Sequence, residues 1–135
     1  MAVLQWSQDL SVRVPSLDAQ HQTMIALINE LHDAVTGGRP RLFVDAAIEK
    51  VVEYTREHFS FEENCLLKAC YQRFEHHQCE HSELAAKLDL LRWRHRNGDD
   101  AAGTELVETL TTWVHRHIRG SDRSYAGHLV RSGTE

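Results

Sequence analysis

Four stretches of this chain repeat their apolar residues with the period of an α-helix, and on each stripe sits at least one histidine. The first runs His21, Met24, Ile25, Ile28, Val35. The second, counted back from His58, runs Thr55, Tyr54, Val51, Ile48, Ala47, Val44. The third runs Phe74, His77, His81, Leu84, Leu88, Leu91, and the fourth Leu106, Leu110, Trp113, His117. A histidine on an apolar stripe is a polar ring turned toward a core, where both ring nitrogens need partners. The chain holds 10 His in 135 residues, so the pattern constrains both fold and chemistry.

The helix boundaries are written in familiar punctuation. Pro15 suits a first turn and Ser16 suits a cap, so a helix opens there. Gly37-Gly38 with Pro40 closes it. The second helix is expected from about Arg41 to about Ala69. The third stops at Asn97-Gly98-Asp99-Asp100, a turn with an aspartate placed to cap the fourth, and Gly120 follows the fourth. The first 14 residues, with Trp6, Leu10, Val12 and Val14, read as an irregular arm. The residues from Ser121 read as a short tail whose Leu129-Val130 docks on the rest. Amphipathic helices joined by short connections predict an all-α fold, an antiparallel up-down-up-down four-helix bundle. One domain over residues 1–135 is expected, with the arm at about 1–15 and the bundle at about 16–120.

Neighbouring histidines are separated by what lies behind them on the helix. His77 shares its face with His81, Leu84, Leu88 and Leu91. His76 shares its face with Glu80, Glu83 and Lys87, a solvent face. His117 is backed by Trp113, Leu110 and Leu106; His115 is backed by Thr111, Glu108 and Thr104. His77 and His117 are therefore expected inside, and His76, His115 and His128 in solvent. His58 and Glu62 are four apart, as are His77 and His81, so each pair lies on one face. In an antiparallel bundle the start of the first and third helices and the end of the second and fourth meet at one pole. His21, His58, Glu62, His77, His81 and His117 converge there. Asp122 lies five residues past His117, about 140° round an ideal α-helix. It is expected at a broken helix end, opened by Gly120 and aimed back at the cluster. His32 lies roughly 16 Å along its helix from His21. It is expected near His95 at the far pole, in a hydrogen-bonded or exposed role.

A buried carboxylate is costly unless paired or bound to metal, and unpartnered imidazoles leave ring nitrogens unsatisfied. A metal answers both. Five His with two carboxylates exceed one tetrahedral zinc and suit a dinuclear, octahedral site. Cys65, Cys70 and Cys79 are not placed to contribute. Their odd number, without framework spacing, points to free thiols in a reducing compartment. If His77, His81 and His117 hold one ion and His21 and His58 the other, with Glu62, Asp122 and a solvent oxygen bridging, the first ion is six-coordinate. The second is five-coordinate, with one open position for a diatomic or small anion. This count does not choose iron over manganese.

These residues resemble the hemerythrin family: Trp6, Leu17-Asp18, Gln20-His21, Tyr54-Thr55-Arg56-Glu57-His58-Phe59, Glu62-Glu63, His77-x3-His81 and Trp113-x3-His117-Ile118-x3-Asp122. The resemblance implies a four-helix bundle with two non-haem iron ions and reversible O2 binding, used for storage, transport or delivery in a bacterial cell. It assigns His77, His81 and His117 to one iron and His21 and His58 to the other. Glu62, Asp122 and an oxo or hydroxo group become bridges. Ile25, Phe59, Trp113 and Val114 are candidates for an apolar wall around the gas. Two positions depart from the family's habit. Ala69-Cys70-Tyr71-Gln72 stands where many members have Gly-Tyr-Pro, and Val114 stands where Leu is common, a smaller side chain that would widen access.

Other function classes fare worse. A formal charge of −5 disfavours nucleic-acid binding. No apolar run approaches the roughly 18 residues of a membrane span. The N-terminus lacks a basic stretch followed by an apolar one, so a cytoplasmic protein is expected. Arg92, Arg94 and Arg96 are expected at a solvated helix end. A di-iron peroxidase or oxidase, a nitric-oxide-handling protein and an O2 or redox sensor are the rival readings. Carboxylate-rich sites stabilise high-valent iron, whereas this His-rich set favours reversible binding of O2, or of NO or small anions, over catalysis.

Overall fold

The computed structural model describes residues 3–135. Four long helices form the bundle: α1 Pro15–Thr36, α2 Arg41–Lys68, α3 Phe74–Arg96 and α4 Ala101–Trp113. Each packs on its neighbours in sequence, and α1 closes the ring against α4. No strand is present among the described residues. None of their helices is long and apolar enough to cross a membrane.

The local signals explain the boundaries. Pro15 occupies the first turn of α1, where its missing N–H costs nothing. Ser16 lies inside the helix and Val14 stands at the cap, so the serine does not cap as expected. Gly38 takes φ +64° just past α1, and Gly98 takes φ +104° between α3 and α4, a region that L side chains avoid. Asp99 receives the backbone N–H of Ala101 on its Oδ1 at 3.1 Å, the expected aspartate at the start of α4.

The stripes meet in one core. Met24, Ile28, Leu31, Ile48, Val51, Leu88, Leu91, Leu106 and Leu110 are all buried there. Truncating any of these leucines to alanine removes packing worth about 2–5 kcal/mol.

The described stretches before α1 and after α4 are more ordered than their sequences suggest. The arm is docked: Leu4, Leu10, Val12 and Val14 are buried, and Gln8–Leu10 forms a 3-10 turn. Asn29 of α1 fixes it by accepting the N–H groups of Val3 and Leu4 and donating to the Leu4 carbonyl. Asp18 accepts from Val12 N–H and the Ser11 hydroxyl. The C-terminal residues do not trail off. α4 runs on without a break through a π-helical segment, Val114–Asp122, into α5, Arg123–Arg131. A second apolar cluster seats α5: Tyr125, Ala126 and Leu129 pack with Val12, Val14, Leu17 and Leu66. Leu129 docks as expected, but Val130 is exposed. His128 is not simply solvated, because its Nε2 donates to the Ala69 carbonyl at 2.5 Å.

At the far pole the arginines are spoken for. Arg92 pairs with Glu49 and Asp89, Arg94 with Asp99 and Glu105, and Arg96 with Glu49. His95 is buried, its Nδ1 2.5 Å from Asp45 Oδ1, and Arg41 donates to the His95 carbonyl. His32 is not its partner; it borders a separate groove between α1 and α4.

Candidate metal centre

His21, His58, Glu62, His77, His81, His117 and Asp122 are all buried, each at most 4% exposed. They come from α1, α2, α3 and the π segment and meet at one pole. His76 and His115 are exposed, as the face comparison requires.

Asp122 arrives by a different route from the one expected. The helix does not open at Gly120. π winding closes hydrogen bonds from i to i+5, so residues five apart stack on one face as residues four apart do in an α-helix. Over Val114–Asp122 that winding brings Asp122 under His117, with His117 Nε2 3.0 Å from Asp122 Oδ1.

The donor atoms divide into two groups. Glu62, His77, His81, His117 and Asp122 each offer an atom within 4.8 Å of the others, and His21, His58 and Glu62 form a second such group. Both carboxylates face both groups. Glu62 Oε1 lies 2.5 Å from His77 Nε2 and 3.0 Å from His81 Nε2, while Oε2 lies 3.1 Å from His58 Nε2 and 3.6 Å from His21 Nε2. Asp122 Oδ1 lies 3.0 Å from His77 Nε2, and Oδ2 lies 3.2 Å from His21 Nε2. Yet His81 Nε2, His117 Nε2 and both Asp122 oxygens make no hydrogen bond among the described residues. These atoms converge on shared points instead of aligning with one another. Buried orphan donors of this chemistry, nitrogen and oxygen without sulfur, fit metal ions.

An outer layer orients the rings. His58 Nδ1 lies 2.7 Å from Gln20 Oε1, His81 Nδ1 2.9 Å from Glu63 Oε2, and His117 Nδ1 3.2 Å from Glu80 Oε2. An Nδ1–H donated to each of these oxygens leaves the Nε2 lone pair pointing inward, as a ligand needs. Ser121 also donates to Glu80, and the buried Tyr125 hydroxyl donates to Glu62 Oε2 at 2.9 Å. Sequence reasoning assigned no role to Gln20, Glu63 or Tyr125 and placed Glu80 on a solvent face. A signal was there. Each of Gln20, Glu63 and Glu80 adjoins a cluster residue in sequence but serves a ring on the following helix or its π extension. Tyr125 had no such signal, since a broken helix end would have freed it.

Burial and close charges pull the titrations apart. Burial lowers the His21 and His77 pKa values, but Asp122 and Glu62 outweigh it and raise them to about 9 and about 10. His117 moves up for the same reasons, led by the Asp122 charge. Burial pushes Glu62 up, and the four imidazoles around it pull it well below the usual carboxylate range. Burial and the Glu62 charge push Asp122 up, but His117 and His21 outweigh them and hold it below the usual carboxylate range. The cluster is built to hold positive charge, as protons or as cations.

Aromatic rings cover the three-histidine side. Phe59 stacks on His81 at 3.8 Å between centroids, and Trp113 stacks on His117 at 4.2 Å. Ile25 and Val114 are buried in the main core, whereas Trp113 is half-buried and edges a surface groove with His117.

The hemerythrin HHE cation binding domain profile matches residues 13–129. This chain belongs to the hemerythrin family. It is 36% identical over 126 residues to a bacteriohemerythrin of Stenotrophomonas maltophilia, covering 93% of this chain and 81% of that one. It is 35% identical over 135 residues to a bacteriohemerythrin of Pseudomonas aeruginosa, covering 100% and 87%. Among solved structures, a mutant hemerythrin superposes with a TM-score of 0.90 at 26% identity, over 96% of this chain and 98% of the other. Wild-type hemerythrin gives 0.83 at 25% identity, over 95% and 98%. Membership of the hemerythrin family agrees with the all-α bundle and with a buried cluster able to bind metal.

Proposed function

We propose that this protein holds two non-haem iron ions and binds O2 reversibly, as a store or carrier of the gas in the bacterial cytoplasm. The observation behind the reading is the division of seven buried donors into two groups that share Glu62, with Asp122 turning one oxygen to each. His77, His81 and His117 would hold one ion and His21 and His58 the other, with Glu62 and Asp122 between them. Such an ion pair supplies reversible exchange of electrons with bound O2.

The chain's own groups do the rest. Gln20, Glu63 and Glu80 fix the tautomers of three rings. Tyr125 holds Glu62 in place by a hydrogen bond. Phe59 and Trp113 shield the ring faces and limit water, with Ile25 and Val114 as further candidates for the wall. Five imidazole donors against two carboxylates give a site poorly suited to high-valent iron, which favours binding over enzymatic turnover.

Iron analysis of the loaded protein should give two ions per chain. Oxygenating its reduced form should produce a visible absorption band that vanishes under vacuum. Irreversible bleaching with release of peroxide would overturn the reading.

A further inference from the structure

The outer contacts of the cluster do not fall evenly on its two halves. The three-histidine side has an anion behind two of its rings, Glu63 on His81 and Glu80 on His117. The two-histidine side has a neutral amide, Gln20 on His58, and His21 Nδ1 has no partner among the described residues. Tyr125 adds to the imbalance. It donates to Glu62 Oε2, the oxygen 3.1 Å from His58 Nε2, and leaves Oε1 to His77 and His81. A carboxylate accepting a ring N–H makes that imidazole a stronger donor, while a hydrogen bond onto a carboxylate oxygen weakens it.

From this one-sided layer we infer that the two halves load in a fixed order, with the His77, His81 and His117 half taking the first divalent ion and the His21 and His58 half taking the second, set by Glu63, Glu80 and Tyr125. The inference rests on the dinuclear reading above but adds to it. A merely structural outer layer holds rings in place and predicts no order. Here Glu63, Glu80 and Tyr125 push in the same direction, and the neutral Gln20 strengthens His58 less than a carboxylate would. Glu63 and Glu80 raise donor strength where three rings already stand. Tyr125 lowers it where only two do. None of these three residues belongs to the ligand set itself, so they act as positioning and tuning groups.

The test is a stepwise titration of the full, chelator-stripped chain with cobalt(II) alone, followed by proton NMR of the ring N–H groups shifted by the paramagnetic ion. The first equivalent should shift the ring protons of His77, His81 and His117, and the second those of His21 and His58. Glu63→Gln with Glu80→Gln keeps an acceptor but removes the charge, and should weaken the first step by about 10- to 100-fold while sparing the second. Gln20→Glu and Tyr125→Phe should each tighten the second step severalfold. Circular dichroism of each stripped variant separates a folding failure from a tuning effect, and withdrawal of cobalt from the loaded chain by a chelator gives the reverse order without requiring a stripped start. Simultaneous filling, first occupation of the His21 and His58 half, or a first step unmoved by the double glutamine variant overturns the inference. Uptake that stops at one ion with the three-histidine protons shifted would sink the dinuclear reading and leave the preference standing.

Discussion

Both poles of this bundle bury histidine, and they do so in opposite ways. At the far pole His95 meets Asp45 one to one, with a single ring nitrogen facing a single carboxylate oxygen. At the other pole five rings crowd two carboxylates, and several inward atoms have no hydrogen-bonding partner among the described residues. The first arrangement is complete with protein alone. The second is complete only with something cationic between its members. A buried histidine is thus not a ligand by virtue of burial; the ratio of donors to acceptors and their shared aim separate the two cases.

The contrast breaks most sharply if the shared carboxylate is removed. Glu62→Gln should lower iron from two per chain to fewer than one after dialysis against a chelator, since Glu62 faces both groups. The loss in affinity should exceed about 100-fold. His95→Ala at the opposite pole should keep two ions per chain. It should cost about 2–3 kcal/mol in urea unfolding, from a lost hydrogen bond and a cavity. If both substitutions reduced iron alike, the poles would not be separate.

A pH series sharpens the comparison next. In the metal-stripped chain His21 and His77 have pKa values raised to about 9 and about 10 from 6.5. Groups raised in the folded state stabilise it fully below their unfolded pKa, near 6.5, and that stabilisation fades as pH climbs through 9 to 10. Glu62 and Asp122 are lowered, so their contribution holds above the ordinary carboxylate pKa and is lost in acid. The stripped chain should therefore melt several degrees lower at pH 10 than at pH 6.5, at about 4 °C per kcal/mol. The iron-loaded chain should not show this alkaline loss, because bound rings are held neutral at both pH values. Calorimetric scans of the two forms would check it. The smallest effect belongs to Arg92→Ala, which removes a partly exposed pair with Glu49 and should change stability by no more than about 1 kcal/mol.

The bundle and the site differ in how far they could be read from residues alone. Apolar period and turn residues placed α1 to α4, and the face comparison between His76 and His77 or His115 and His117 separated inner from outer rings correctly. Those signals are local, and burial depends on them directly. Asp122 was legible as a member of the cluster but not in its geometry. Spacing of five is off-face in an α-helix, and nothing local announces that the backbone adopts π winding. Gly120 suggested a break, yet a side chain there would meet nothing within 4 Å and the residue has no positive φ, so the glycine is not required for the path taken. α5 escaped notice because its stripe is short, with Tyr125 and Leu129 burying against the arm and the end of α2. Glu80 was misread because its own face looks solvated; its partner His117 lies beyond α4, in the π segment.

The π segment also sets a bookmark in the reading frame of the helix. Everything after it, Tyr125 included, inherits its angular position from the wider winding of those nine residues. Wound at ordinary α pitch with its length unchanged, the segment would turn Asp122 to about 140° from His117 and swing the remainder with it. Asp122 and the Tyr125 hydroxyl would leave the cluster together, and Leu129 would leave its seat. Winding and length are coupled in this stretch: Gly120→Ala should be silent, and loss of Gly120 should let it relax to α pitch with Asp122 four residues past His117, still on the same face.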